Sequence, residues 1–131
     1  KHYFKKKLSF IGFGGHGNQV RDIIHIKDVC EILLMQIKRL NRINNHTFNI
    51  GGGVKNTISL KKLTSKFKNL TKNKIKIKKI KNTSIFDIPY FVSDNSKIYK
   101  FYNWKPSKSV DLILNDIYKW LSENKNLRNY F

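Results

Sequence analysis

Four glycines fall within six positions, Gly12, Gly14, Gly15 and Gly17, and Arg21 follows four residues later. Glycines so spaced permit a tight backbone path that side chains would block. Arg21 is one of four arginines among 27 basic residues, and its planar five-donor fork suits a phosphate or carboxylate better than lysine does. Gly12, Gly14 and Gly17 satisfy G-x-G-x-x-G after a strand-like run. A dinucleotide fingerprint, however, sets pyrophosphate on a helix that opens within the glycines. Here N-Q-V-R-D-I-I-H-I (18–26) reads as extended chain rich in β-branched residues, and the nearest later acid, Glu31, lies inside a helical pattern. The glycines are therefore expected to form a shaped loop between two strands. Tyr3 and Lys7 make Y-x-x-x-K, the spacing of a known oxidoreductase acid/base pair, but six tyrosines and abundant lysine give such a match by chance. The helical position of Cys30 predicts a small packing residue rather than a nucleophile.

These groups need elements to carry them. K-H-Y-F-K-K-K (1–7) reads as the last turn of a helix, with cations where a C-terminus favours them, and the chain start looks like an interior cut. Strands are expected near Leu8 and Ile23. Asp28 and Glu31 resemble a capping box, and Val29, Ile32, Leu33, Ile37 and Leu40 recur at helical spacing, which predicts a helix over about 27–40. Residues 41–45 form a polar connection. H-T-F-N-I (46–50) then reads as a short strand running into Gly51, Gly52 and Gly53, a junction that marks close backbone approach. Ser59 is placed to cap a helix with Leu60, Leu63, Phe67 and Leu70 on one face. Ile75 and Ile77 alternate with lysines as in a half-exposed strand. A loop and short apolar strand surround Pro89, and Asp94 caps a helix over 96–102 that stops before Trp104 and Pro106. Ser109 caps a last helix with Val110, Ile113, Ile117 and Leu121 as its stripe, and the tail from Glu123 is expected to fray.

A chain of 131 residues makes one core. The net charge of +19 rests on lysine, in a chain with 15 asparagines, 17 isoleucines and no alanine, the bias of an AT-rich coding sequence. It reads as solvated faces that favour anionic ligands; the rival reading is a stand-alone basic module for RNA or DNA, argued from charge alone. One cysteine excludes an internal disulfide framework and fits a reducing cytosol, and no apolar run reaches membrane-span length.

Three blocks carry a resemblance: G-F-G-G-x-G-x-Q-V-R-D-I-I-H-I-x-D (12–28), F-N-I-G-G-G with S-L-x-x-L (48–63), and S-D-N-S-K-I-x-x-x-x-x-W-x-P (93–106). Together they resemble the C-terminal part of extended short-chain dehydrogenases/reductases that act on nucleotide sugars, and the first block leans toward the branch using CDP-sugars. The resemblance spans nearly the whole chain but about the last two-fifths of such an enzyme. It implies an α/β fold in which residues 1–131 are the C-terminal substrate-binding part of an extended Rossmann-type enzyme whose N-terminal cofactor-binding part is missing. Strands near Leu8, Ile23 and Ile75 would build the substrate lobe, and 46–50 would join the Rossmann sheet.

The resemblance further implies a cytoplasmic NAD-dependent epimerase that inverts a sugar carbon by transient oxidation. NAD and the acid/base pair belong to the missing part, so none of these residues is catalytic, cofactor-binding or metal-binding. It implies no membrane or specific nucleic-acid partner, and leaves homo-oligomerisation of the intact enzyme open. Matched position by position, Arg21 is the arginine that grips the nucleotide-sugar diphosphate. Ser9, Ile11 and Gln19 line the base pocket. Asp87 is the acid of R-x-x-D that approaches the ribose, and Ser84 replaces that motif's arginine, with Lys81 nearby as a point charge. The alternative for Arg21 is a local pair with Asp22 or another acid that pins the glycine loop. Lys62 replaces an acid common at the third position of the helix after Ser59.

Overall fold

The structure, a computed structural model, describes residues 1–41 and 45–130. The chain enters through a turn that ends as helices end. Lys6 N–H reaches the Lys1 carbonyl at 3.0 Å, Lys5 N–H reaches that of His2, and Lys5 adopts φ 54°. This is the Schellman pattern, with the left-handed residue between the two bonds.

Strand β1 (Leu8–Ile11) pairs in parallel with β4 (Ile77–Ile80), Leu8 opposite Ile77 and Ile11 opposite Ile80. A second sheet has the order β3-β2-β5. Its centre is β2 (Val20–Asp22), antiparallel to β3 (Thr57–Ser59) and parallel to β5 (Tyr90–Phe91). The expected strands near Ile23 and Ile75 are thus each shifted by about two residues and belong to different sheets. Ile23 N–H still reaches the Asn56 carbonyl at 3.1 Å, the next place in the β2–β3 register, before the chain turns into the following helix.

Helix α1 (Ile26–Ile37) does not use the expected capping box. His25 is the N-cap, its Nδ1 accepting the Lys27 N–H at 3.0 Å, and Asp28 is wholly buried. Of the predicted stripe Ile32 is buried, while Leu33, Ile37 and Leu40 stay exposed. Cys30 is exposed rather than packed, because two residues on from buried Asp28 it stands about 200° round the helix. The connection 41–45 lies mostly outside the described residues.

Residues 46–50 form no strand. A strand exists only by pairing, and this segment has no ladder partner among the described residues, yet its alternation survives: Phe48 and Ile50 pack on the core of Ile32, Ile98, Tyr102 and Trp104.

Helices α2 (Leu60–Thr71) and α4 (Val110–Glu123) begin at Ser59 and Ser109, whose hydroxyls accept the N–H groups of Lys62 and Leu112. Such caps are worth about 1 kcal/mol each. Helix α3 (Ser96–Tyr102) is preceded by Asp94, whose carboxylate takes both the N–H and the hydroxyl of Ser96. The tail does not fray but forms a 3₁₀ turn over Lys125–Tyr130.

Candidate functional site

The glycine turn grows out of β1. Gly12 donates its N–H to the Ile80 carbonyl at 2.9 Å, so the ladder to β4 runs through Leu8, Phe10 and Gly12. Alternation along a strand then points the N–H and C=O groups of Ser9 and Ile11 to the opposite edge, which no strand covers among the described residues. The chain next turns through Phe13 at φ 47° and Gly14, Gly15 and Gly17 at φ 70–76°. Phe13 is held there by its N–H on Thr83 Oγ1 at 2.7 Å. Gly15 is obligatory for a second reason. A Cβ there would stand 2.8 Å from the Lys79 Cβ and 2.9 Å from the Ile80 backbone nitrogen.

Gln19 closes the turn. It is 5% exposed and its Nε2 donates to the Ile11 carbonyl, which fixes the amide's orientation because a carbonyl accepts and cannot donate. Its Oε1 is enclosed and has no partner.

Arg21 and Asp22 are neighbours on β2 and therefore face opposite ways. Arg21 Nη2 pairs with Asp87 Oδ1 at 3.0 Å and Nη1 donates to the Val20 carbonyl at 2.8 Å, both side chains remaining about one-third exposed. The local pair considered for Arg21 is thus made with Asp87, not Asp22. Gln19 Nε2 and Asp87 Oδ2 each lie 3.4 Å from where a Cβ on Gly12 would stand, so amide, carboxylate and guanidinium converge across that glycine. The position of Asp87 follows from a tight turn: its N–H donates to the Ser84 carbonyl, and its own carboxylate accepts the Ile88 N–H. Among the five residues picked out for the site, the structure brings Ile11, Gln19, Arg21 and Asp87 together, and Ser9 lies two residues back along the same open edge.

Asp22 serves the scaffold. Its carboxylate accepts from Gly53 N–H at 2.8 Å and from the Ser93 hydroxyl. Asn95 adds a reciprocal pair with the Gly51 backbone, at 3.1 and 2.9 Å. The three motif blocks are thereby tied together. Below them Asp28 accepts from the Ser107 hydroxyl (2.9 Å) and the Lys108 N–H (3.1 Å), and Lys108 Nζ stands 3.5 Å away. Burial alone would raise this carboxyl, but the bonds from Lys108 and Ser107 outweigh it and hold its pKa below the ordinary aspartate value. His25 uses its Nδ1 for the helix cap, so its ring proton sits on Nε2 and bonds Asp116 at 3.0 Å. Thr83, Asn95 and His25 escaped the reading of the sequence. Asn95 and His25 lay inside quoted motifs, but nothing local marked Thr83.

Residues 4–51 match the sequence model of the NAD dependent epimerase/dehydratase family. Over those residues the chain is similar to that family. It is 28% identical over 108 residues to a CDP-paratose 2-epimerase of Salmonella typhi, covering 82% of this chain and 32% of the relative. It is 31% identical over 113 residues to a UDP-glucuronate 4-epimerase of Thermodesulfobacterium geofontis, covering 86% and 33%. The chain spans about a third of the length of these curated relatives. Among solved structures, an epimerase from Methanothermobacter thermautotrophicus superposes with TM-score 0.79 over 98% of this chain and 37% of its own, at 19% identity, a likeness of fold.

The glycine turn leads into β2 rather than a helix, and the first N–H groups of α2, on Leu60 and Lys61, are already donated to the carbonyls of Gln19 and Gly17. The helix start beside the glycine turn therefore has no free N–H pair for a pyrophosphate, and the turn does not fit NAD. Tyr3 packs its ring on Phe4 and Tyr118, in a turn rather than a helix that would bring Lys7 beside it. Among the described residues no group of three His, Cys, Asp or Glu side chains could hold a metal, and no helix is long and apolar enough to cross a membrane.

Proposed function

We propose that residues 1–131 are the C-terminal nucleotide-sugar-binding region of a longer NAD-dependent epimerase. The observation that carries this is the Arg21–Asp87 pair set across Gly12 at the open edge of β1. A guanidinium so placed keeps donors for a diphosphate, and charge-assisted bonds of this kind contribute roughly 1.5–3 kcal/mol each. Asp87 orients the fork and can then accept a ribose hydroxyl. Ser9 with its backbone N–H and C=O, and Ile11 with its N–H, can meet the edge of a base as they would a neighbouring strand, while the Ile11 carbonyl is held by Gln19. Gly12, with no side chain, lets the ligand approach. Ser84, where the family pattern has a second arginine, leaves the phosphate grip to Arg21 alone.

The finer reading takes the S. typhi relative as guide: a CDP-sugar substrate inverted at carbon 2, in the cytoplasm. The T. geofontis relative supports a UDP-sugar inverted at carbon 4 as the second reading. In either case this region binds and orients, which is where proximity gains arise, while the redox chemistry belongs to an NAD site built by other residues. Calorimetric titration of the 131-residue chain with CDP, UDP and cytidine tests the site. A nucleoside diphosphate should bind at least tenfold more tightly than the phosphate-free nucleoside. Equal affinity for cytidine would refute a diphosphate grip by Arg21.

A further inference from the structure

The entry turn, the end of α2, helix α4 and the 3₁₀ tail meet around an open cavity of about 600 Å³ that shares no residue with the Arg21–Asp87 cleft. Tyr3, Lys5, Asn73, Tyr118, Lys125 and Arg128 line it, and none of its lining residues is acidic. The wall is fixed: Asn73 Nδ2 donates to the Tyr3 carbonyl at 2.8 Å, and the Tyr3 ring stands edge-on to that of Tyr118 at 5.6 Å. Both phenol hydroxyls keep a proton to give, since neither makes a hydrogen bond among the described residues.

The three cations lack an answer within the chain. Residues three apart eclipse in a 3₁₀ turn, so Lys125 and Arg128 carry like charge on one side of the tail, and Lys5 brings a third charge to the same cavity. None of their charged ends has a hydrogen bond or ion pair among the described residues, whereas Arg21 and Arg39 both have partners. Capping of helix C-termini, the usual work of such cations, falls to other groups. Asn124 puts both its N–H and Nδ2 on the Trp120 carbonyl at the end of α4, and α2 closes with Lys72 N–H on Lys68 and the Thr71 hydroxyl on Phe67. Like charges gathered without a counter-ion are costly, and an anion among them reverses the sign of that interaction. We infer that this cavity is a second anion site, which takes the phosphoryl group of a small, soluble phosphate monoester. Such a group carries about −1.5 to −2 charge at neutral pH and three acceptor oxygens, one for each cation. Arg128 supplies the planar fork that phosphate suits, and the Tyr3 and Tyr118 hydroxyls can donate beside it. A carboxylate, with one charge and two oxygens, would leave a cation unanswered.

Two-dimensional NMR of the isotope-labelled 131-residue chain, at constant ionic strength, tests the site with inorganic phosphate, glycerol phosphate and acetate. Both phosphates should give saturable shifts at residues 3–5, 71–73 and 125–128, and bind about tenfold or more tightly than acetate. Arg128→Gln, with a melting curve to confirm folding, should weaken that binding about tenfold. Replacing Lys38 and Lys100 together by glutamine removes two charges that do not line the cavity and should change it less than about twofold. Acetate binding as tightly as phosphate, equal losses from the two sets of substitutions, or shifts spread without saturation over the lysine surface would each overturn the site. Vesicles of phosphatidic acid display the same group on a lipid; binding to them through Arg128 more tightly than to glycerol phosphate would overturn a soluble ester as the ligand. Should Arg128→Gln not fold, Lys125→Gln serves in its place.

Discussion

Replacing Arg21 with lysine keeps the charge and removes the fork. In the protein Arg21 makes two contacts that lysine cannot hold together, Nη2 on Asp87 at 3.0 Å and Nη1 on the Val20 carbonyl at 2.8 Å. Their worth to the fold is small, because the two side chains of the ion pair are 35% and 31% exposed and pairs so exposed contribute roughly 0.2–1 kcal/mol. That corresponds to a fall in Tm of a few degrees. The worth to a bound diphosphate is larger, since each lost charge-assisted bond costs roughly 1.5–3 kcal/mol, about ten- to a hundredfold in affinity. Arg21→Lys should therefore show weakened CDP binding by calorimetry beside a nearly unchanged melting curve. The reverse pattern, a drop in Tm well beyond a few degrees with affinity for CDP retained by the folded fraction, would show that Arg21 only pins the glycine turn through Asp87. A variant that binds CDP as tightly as wild type and melts like it would remove Arg21 from any role.

Asp28→Asn should lower the stability at neutral pH by about 2–4 kcal/mol, read from denaturant midpoints, because a buried carboxylate paired with two donors is replaced by a group that must turn an NH₂ toward one of them. Since the folded carboxyl is held below its ordinary pKa of 3.8, its stabilisation is complete above that value and is lost as pH falls through the folded pKa. The gap between wild type and Asp28→Asn should accordingly narrow in acid; a gap constant with pH would contradict the assignment. Gly15→Ala should cost at least about 2 kcal/mol by the same measurement, from the φ of +70° and the collision with the Lys79–Ile80 backbone, and an unchanged midpoint would show that the turn is laxer than drawn. Binding to DNA or RNA in a gel-shift titration should be weak, indifferent to sequence and steeply reduced by salt, as diffuse lysine charge requires; a sequence preference surviving physiological salt would favour the nucleic-acid module.

What the sequence disclosed depended on how far each interaction reaches along the chain. Ser59 and Ser109 were readable as caps because a hydroxyl meets an N–H three residues on. Asp28 was misread as part of a cap because its partners, Ser107 and Lys108, lie 79 and 80 residues away. His25 looked like a strand residue, since the β-branched run around it gives no sign that an imidazole will cap the helix. The alternation of Phe48 and Ile50 was legible and their inward packing followed, but a strand needs a partner that periodicity cannot name. In the site, Arg21 and Asp87 stand 66 positions apart and were joined only through the family motifs. The unpaired Gln19 Oε1 had no signature in the sequence, because satisfaction of a buried polar atom is a property of the packed interior.

The two faces of β2 have a consequence for how this segment tolerates change. Arg21 looks to the Gly12 cleft and Asp22 to the Gly53 and Ser93 groups behind it, a division of labour that rests only on odd and even places along three paired residues. A single residue inserted or lost between Gly17 and Val20, if carried into the strand, would exchange them, aiming a carboxylate at the Gly12 cleft and a guanidinium at the N–H of Gly53. Length in this short stretch is thus as strictly held as identity: most side-chain changes there remove one contact, but a frame shift of one position inverts the sign of charge on both faces at once.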